Sequence, residues 1–459
     1  MRCWGTTGLV ALAVTGLSLG ASAKAQEMPG SRFHSAQQRT AEFGPVDYRD
    51  YYAAEGAAGE TSPSDAAKSA PAETSCGCND CGCDAEEACN PCGDPWRLQD
   101  WLQPCRCEDS PWTYGGWIEG GITGNGHNQR GQNANLPVAF NTQSNGAMAN
   151  QLWGWVDRAS NTGGCGWDWG FRVDYLFGSD ARTTQASGDI GYDTEWDTSA
   201  IYGSALPQLY AVVSYNDINV KLGHFFTIIG NEVVNATGNF FYSHAYTMVW
   251  GEPFTHTGAL ADYKYSDQIT LYGGWVQGWD SGFNNVSNAN LFLGGVTWTS
   301  CDKNTSAAYA LTAGDFGNGA VANDGNIYMQ SIVLKHKFDN DWQYIFQSDL
   351  ATNTNLGTPS TAWYGVNQYL IKELNCCWAV GARFEWFRDE DGVRVPNSNG
   401  QGSPGDYWEA TFGVNWKPHT NVTVRPEVRY DWHTGGGNPY ANSTADEQLT
   451  FGVDGILTF

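Results

Sequence analysis

Thirteen cysteines in a chain of 459 residues are the first side chains whose chemistry needs placing. Eight crowd one stretch: Cys76, Cys78, Cys81, Cys83, Cys89, Cys92, Cys105 and Cys107. The spacing Cys76-x-Cys78-x2-Cys81-x-Cys83 could hold zinc or another thiophilic metal through thiolates. In an exported chain disulfides are the favoured use, because that compartment is oxidising. Cys165, Cys301, Cys376 and Cys377 stand far downstream and join the disulfide candidates.

A second set is charged and strictly spaced: Arg172 and Asp174, Arg383 and Glu385, then Arg425, Glu427, Arg429 and Asp431. Alternate positions place each set on one face of an extended strand. Mixed signs on one face suit a transverse field across an aqueous passage, or a ladder of cross-strand ion pairs. Arg383/Glu385 and Arg425/Glu427 belong to segments two strands apart, with Trp408–Trp416 between, so direct pairing between them is not assured. The eight histidines are scattered and form no HExxH spacing. Gly-x-Ser-x-Gly and phosphate-loop patterns are missing too. No catalytic, cofactor or metal site is expected from the remaining residues, and the chain is not read as an enzyme.

The elements that must position these charges alternate with a period of two. In Trp167–Phe177 one face is Trp167, Trp169, Phe171, Val173, Tyr175 and Phe177, and the other carries Arg172 and Asp174. Val422–Trp432 sets Val422, Val424, Pro426, Val428, Tyr430 and Trp432 against Thr423, Arg425, Glu427, Arg429 and Asp431. An apolar face against a charged one, over about ten residues with aromatics near the ends, is what a strand between lipid and a wet lumen requires. Strands of a soluble sandwich alternate as well, but are shorter, about five or six residues.

Sixteen such segments are legible, the first near 112–123 and the last near 447–459. Among them are 151–158, 206–214, 218–230, 269–279, 327–337 and 407–417, with 218–230 and 327–337 alternating poorly. Connections alternate in length: short ones (159–166, 215–217, 266–268, 301–305, 338–341, 372–377, 418–421) follow long ones (124–150, 178–205, 231–256, 280–289, 315–326, 353–361, 389–406, 433–446). Short inner turns and long outer loops around an even-stranded barrel give that pattern. The four downstream cysteines all fall in short turns. The expected fold is therefore all-β: a transmembrane antiparallel up-and-down β-barrel of about 16 strands, with fourteen or eighteen as alternatives. About sixteen strands leave an aqueous channel, whereas eight would be filled by side chains.

Composition agrees. Aromatics make up 14 % and charged residues only 16 %, with 56 glycines, as a pleated surface with many turns demands. Arg2, the apolar run Leu9–Leu19 and Ala21-Ser22-Ala23 predict a signal peptide over 1–23. Residues 24–75 are rich in Ala, Gly, Ser, Glu and Pro and read as a disordered linker. The segment 76–111 is then a cysteine-rich periplasmic piece, and 112–459 the barrel. A net charge of −25 argues against nucleic acid as a partner and for a field that favours cations.

Several blocks resemble the OmpL-like β-barrel porin family (porin type 2). They are Gly223–Gly230 leading into Ala236–His244, Trp250–Gly258, Arg383–Asp389 and Arg425–Asp431. The likeness spans about 112–459 and implies an outer-membrane diffusion channel for small hydrophilic solutes or ions. Likeness to general porins further implies outer-membrane lipid around the barrel and a homotrimer. A terminal strand ending in Phe459 resembles the signal that barrel-assembly machinery recognises. The connection 231–256 has the position of the loop that folds inward in many sixteen-stranded porins. Glu232, His244, Glu252 and His256 would then face a mildly cation-preferring eyelet; alternatively they staple the loop in place. A rival role is a structural barrel cross-linked to the envelope through its cysteine-rich segment.

Overall fold

The computed structural model describes residues 93–102, 110–127, 133–188, 192–198, 201–318, 324–354, 360–397 and 402–459. The expected signal peptide, the linker and all eight clustered cysteines lie outside these residues.

Sixteen antiparallel strands close into one barrel. They are β1 (Trp112–Asn125), β2 (Ala147–Arg158), β3 (Trp167–Gly178), β4 (Gly203–Tyr215), β5 (Ile218–Phe226), β6 (Thr255–Lys264), β7 (Ile269–Val276) and β8 (Asn290–Thr299). The second half comprises β9 (Thr305–Asn318), β10 (Asp324–Lys337), β11 (Trp342–Thr354), β12 (Thr361–Asn375), β13 (Trp378–Asp389), β14 (Gly405–His419), β15 (Val422–Gly435) and β16 (Glu447–Thr458). Every neighbour in sequence is a neighbour in the sheet, and β1 pairs with β16 from Trp117↔Thr458 to Asn125↔Thr450. The last residue belongs to the seam: Phe459 N–H donates to Gly116 O at 2.9 Å, and Gly116 N–H to Phe459 O at 3.0 Å. Closure leaves no unpaired edge, the condition for spanning a bilayer with strands.

Alternation sets the faces as expected. On β16 Leu449, Phe451, Val453 and Leu457 are exposed, while Gln448, Thr450, Asp454 and Ile456 are buried. Outward aromatics stack near the strand ends, Trp408 on Trp432 at 5.9 Å and Trp378 on Trp416 at 5.7 Å. Such girdles suit the two interfaces of a membrane. The inner face departs from a uniformly polar wall. Val212, Leu260, Val276, Leu291 and Leu293 form one buried apolar stripe from β4 to β8, packed with Ile229 and Tyr246.

Several boundaries differ from the sequence reading. β5 stops at Phe226 instead of running to 230, because the chain leaves the wall and Thr227 N–H returns to Phe254 O at 3.0 Å. β7 ends at Val276, short of 279, where the chain folds back so that Asp280 N–H meets Thr255 O. Conversely β9 and β10 run past 314 and begin before 327, leaving only 319–323 between them.

Residues 93–102, with a one-turn helix α1 (Leu98–Leu102), dock at the short-turn end of the barrel. Trp96 stacks on His419 at 4.4 Å. Its N–H donates to Asn421 Oδ1 at 2.6 Å, and Asn421 Nδ2 donates back to Trp96 O at 2.7 Å. Gln99 Nε2 reaches Trp112 O at 2.9 Å. A second short helix, α2 (Ser179–Thr184), opens the long connection after β3.

Candidate functional site

Loop L3, residues 227–254, folds into the lumen rather than over its rim. A chain segment inside a barrel brings its backbone N–H and C=O groups away from water, and each needs a partner. The wall supplies them. Glu427 accepts from Tyr242 N–H at 2.9 Å and Ser243 N–H at 3.1 Å. Glu232, from the loop itself, accepts from Ala245 N–H at 2.9 Å. Glu385 accepts from Tyr246 and Thr247 N–H, both at 2.6 Å.

Arginines serve the carbonyls. Arg425 Nη1 donates to Ala236 O at 2.9 Å and Asn239 O at 2.8 Å. Arg383 Nη1 donates to Ser243 O at 2.7 Å, and Arg429 Nη1 to His244 O at 2.5 Å. Acidic wall residues take N–H groups and basic ones take C=O groups. Mixed sign on the inner face is thus what docking a backbone needs, since an amide offers both polarities.

The same arginines are neutralised laterally. Arg383 Nε donates to Glu409 Oε1 at 2.5 Å, and its Nη1 to Glu232 Oε1 at 2.7 Å. Arg425 pairs with Asp454 at 2.6 Å and Glu119 at 3.0 Å. Arg429 and Asp431 pair along β15 at 2.7 Å, as do Arg172 and Asp174 along β3 at 2.6 Å. Arg383/Glu385 and Arg425/Glu427 make no direct ion pair with each other; the intervening β14 supplies Glu409 instead. Glu409, Asp454 and Glu119 were missed as site residues, although period-two parity on their strands already puts them inward.

Burial of L3 also needs room on the wall, and glycines provide it. Phe240 lies over Gly381, where a Cβ would collide with the ring. Phe241 lies over Gly413, whose Cβ would sit 3.0 Å from the ring. Tyr242 covers Gly121, whose Cβ would come within 2.6 Å of the phenol. Arg383 stands 5.0 Å from the centroid of Phe241, a cation–π contact within the docked loop.

Glu232 and His244 meet within the loop, while Arg172 and Asp174 pair with each other on β3. None of Glu232, His244, Glu252, His256, Arg172, Asp174, Arg383, Glu385, Arg425, Glu427, Arg429 and Asp431 is more than 9 % exposed. His244 Nδ1 lies 3.2 Å from Glu232 Oε2, and Phe140 from the β1–β2 connection packs on its ring at 4.5 Å. His256 bridges Thr227 Oγ1 at 3.0 Å and Gly278 O at 2.8 Å, a hinge position at the loop's exit. Burial would raise the Glu232 carboxyl, yet Arg383 and His244 hold it well below the usual range. Glu252 moves the other way: burial and the neighbouring Asp349 carboxylate push it well up. Gln347 clamps the loop's neck, its Oε1 accepting from Asn231 N–H at 3.1 Å while its Nε2 donates to Glu252.

Beneath L3, toward the short turns, lies a cavity of about 210 Å3. Asn239 and Phe240 roof it, and Lys335, Tyr369, Glu373 and Lys417 line its wall. Cys376 and Cys377 sit at its rim. Cys165 and Cys376 carry free thiols, whereas Cys301 and Cys377 are disulfide-bonded. Among the described residues no three His, Cys, Asp or Glu side chains converge as a metal site.

A closed sixteen-stranded barrel with aromatic girdles and an inward third loop defines the class of outer-membrane porins. The family described as "Putative beta-barrel porin-2, OmpL-like" matches residues 111–459, and the chain belongs to it. Among solved structures the chain is similar to the outer-membrane channel DcaP of Acinetobacter baumannii, at 11 % identity and TM-score 0.51, over 76 % of this chain and 97 % of that one. It is likewise similar to an anion-selective porin from Comamonas acidovorans, at 8 % identity and TM-score 0.53, over 76 % and 99 %. At such identities the likeness is one of fold. No curated protein matches the sequence.

Proposed function

We propose that the chain is a diffusion porin whose passage is throttled by L3, held across the lumen by the charged wall. It admits small hydrophilic solutes passively, and neither binding energy nor turnover chemistry is required. One observation carries this reading: the backbone of L3 from 236 to 247 is hydrogen-bonded by Glu385, Glu427, Arg383, Arg425 and Arg429. A barrel serving only as an anchor has no use for a loop fitted so closely into its lumen. The mild cation preference we propose arises from the net charge of −25 rather than from an acidic eyelet, since Glu232 is ion-paired with Arg383 and Glu252 is hydrogen-bonded by Gln347. Conductance of the purified full chain in planar bilayers tests the reading: discrete, steady openings support it, and a silent barrel removes it.

The cysteine-rich segment is read as periplasmic, at the short-turn end, after export directed by 1–23. Docking of Trp96 on His419 and Asn421, at the β14–β15 turn, supports that side. The same contact and the bonded Cys301 and Cys377 favour a second role, cross-linking of the barrel through this segment. Mass spectrometry without reduction checks it: bridged masses are expected, and eight free thiols in 76–107 would exclude it.

A further inference from the structure

Cys301 and Cys377 are both disulfide-bonded, and the fold keeps them from bonding each other. Cys301 lies in the turn between β8 and β9, and Cys377 in the turn between β12 and β13. The wall from β9 through β10 and β11 to β12 stands between them. Three inter-strand steps of about 4.8 Å set the two turns roughly 14 Å apart, whereas a disulfide needs Cα atoms within about 7 Å. Cys165 and Cys376 carry free thiols. That leaves the cysteines ahead of β1 as the partners of both.

The chain ahead of β1 meets the barrel beside one of these turns. Thr420 Oγ1, between β14 and β15, donates to Gly93 O at 2.5 Å. Earlier on β14, Lys417 N–H donates to Cys377 O at 2.8 Å. Cys89 and Cys92, just before Gly93, are therefore the cysteines that enter next to Cys377. Cys301 stands farther round the rim. Sixteen tilted strands make a mouth roughly 30 Å wide. The stretch 76–92 reaches about 55 Å when extended, so it can be bonded to both turns across that mouth.

Charge draws the same stretch inward. Between Cys76 and Cys92 it carries Asp80, Asp84, Glu86 and Glu87, with no Lys or Arg. The cavity beneath L3 lies toward these turns, with Cys376 and Cys377 at its rim, and its wall presents Lys335 and Lys417 against Glu373. Glu232, which also lines it, is ion-paired with Arg383. Complementary charge on facing surfaces sets how they meet.

We infer that residues 76–92 form a strap across the short-turn mouth, disulfide-tied to Cys377 and Cys301, with its carboxylates facing Lys335 and Lys417 over the cavity beneath L3. Each bond forms by exchange: two thiols give two electrons and two protons to an incoming disulfide, which leaves as two thiols. These bonds close the barrel on its own chain instead of linking it to the envelope. The strap's place does not depend on whether the lumen conducts.

The test uses the full chain, folded in detergent without reductant, its free thiols alkylated before peptide mapping. Heat-modifiable gel mobility reports that each barrel is folded. Peptides holding Cys301 and Cys377 are each expected joined to peptides from 76–92, with the denatured, unreduced chain running as a monomer. A Cys301–Cys377 bridge, bonds to Cys105 or Cys107, or links between chains overturn the inference. Occupancy of the mouth is read from the alkylation rate of Cys376 on the cavity rim, with exposed Cys165 as internal reference. C301S/C377S should speed Cys376 at least ten-fold and leave Cys165 within two-fold. D80N/D84N/E86Q/E87Q, which keeps both bonds, should give a smaller rise, and keeps the test decisive where the serine pair fails to fold. A Cys376 rate unchanged in the folded variants overturns the inference.

Discussion

Arg383 shows how one side chain couples the wall to the loop. Its guanidinium serves Glu409 on β14, Glu232 in L3 and the carbonyl of Ser243 at once. Replacing it by Gln leaves two buried carboxylates without their counter-charge, a loss of about 3–5 kcal/mol for a broken buried pair. Arg383→Gln should therefore undock L3, lowering the melting temperature in detergent and giving larger, noisier channel openings. Glu232→Gln keeps an acceptor for Ala245 N–H and should disturb the loop less. Reversal potentials of Glu232→Gln and Glu252→Gln should match the wild type, because neither side chain faces free ions; a shift toward anions in either would restore the eyelet. Asp280 gives a pH-dependent counterpart. Burial pushes its carboxyl up to about 6, against the pull of the Thr255 and Phe254 N–H groups and Arg394. A folded-state value above the ordinary one of 3.8 means that folding binds a proton between those limits. Its contribution is most favourable below about pH 4 and is lost as pH rises through 6, on the order of 3 kcal/mol. Asp280→Asn should flatten that part of the melting-temperature profile between pH 4 and 7; an identical slope in both proteins would refute it.

At the scale of elements, the strands and the inward course of 231–256 were legible, and the wall groups that hold the loop were not. Period-two alternation is a direct consequence of pleating, so lipid-facing Trp167, Phe412 and Phe451 announced their faces without any tertiary knowledge. Even Glu409 and Asp454 were available by parity. What the side-chain pattern hides is backbone: Glu427 and Arg425 bind peptide groups of L3, and peptide groups look alike at every position. For the same reason the sequence pattern carries β5 on to 230, although the chain has left the wall by Thr227. One overlooked signal was the run of inward glycines, Gly121, Gly381 and Gly413, each an empty place on a wall otherwise crowded with charge. They are the footprints of Tyr242, Phe240 and Phe241. Gly381→Val with Gly413→Val should expel those rings while leaving the lipid face untouched. Conductance is expected to rise several-fold with barrel heat-modifiability unchanged; wild-type conductance would mean that the tip does not obstruct the passage.

For the whole molecule, the apolar stripe from Val212 to Leu293 packs with Ile229 and Tyr246 of the docked loop inside a barrel whose sixteen strands would otherwise leave an open lumen. The barrel is built as a wide tube and narrowed from within, and its charged wall holds the narrowing element in place. Single-channel recording of the full chain beside a variant in which 233–249 is replaced by a short Gly-Ser bridge tests this most directly. Small, steady openings for the full chain and several-fold larger ones for the shortened loop are the predicted result. Equal conductance in the two, or silence in both, would contradict it.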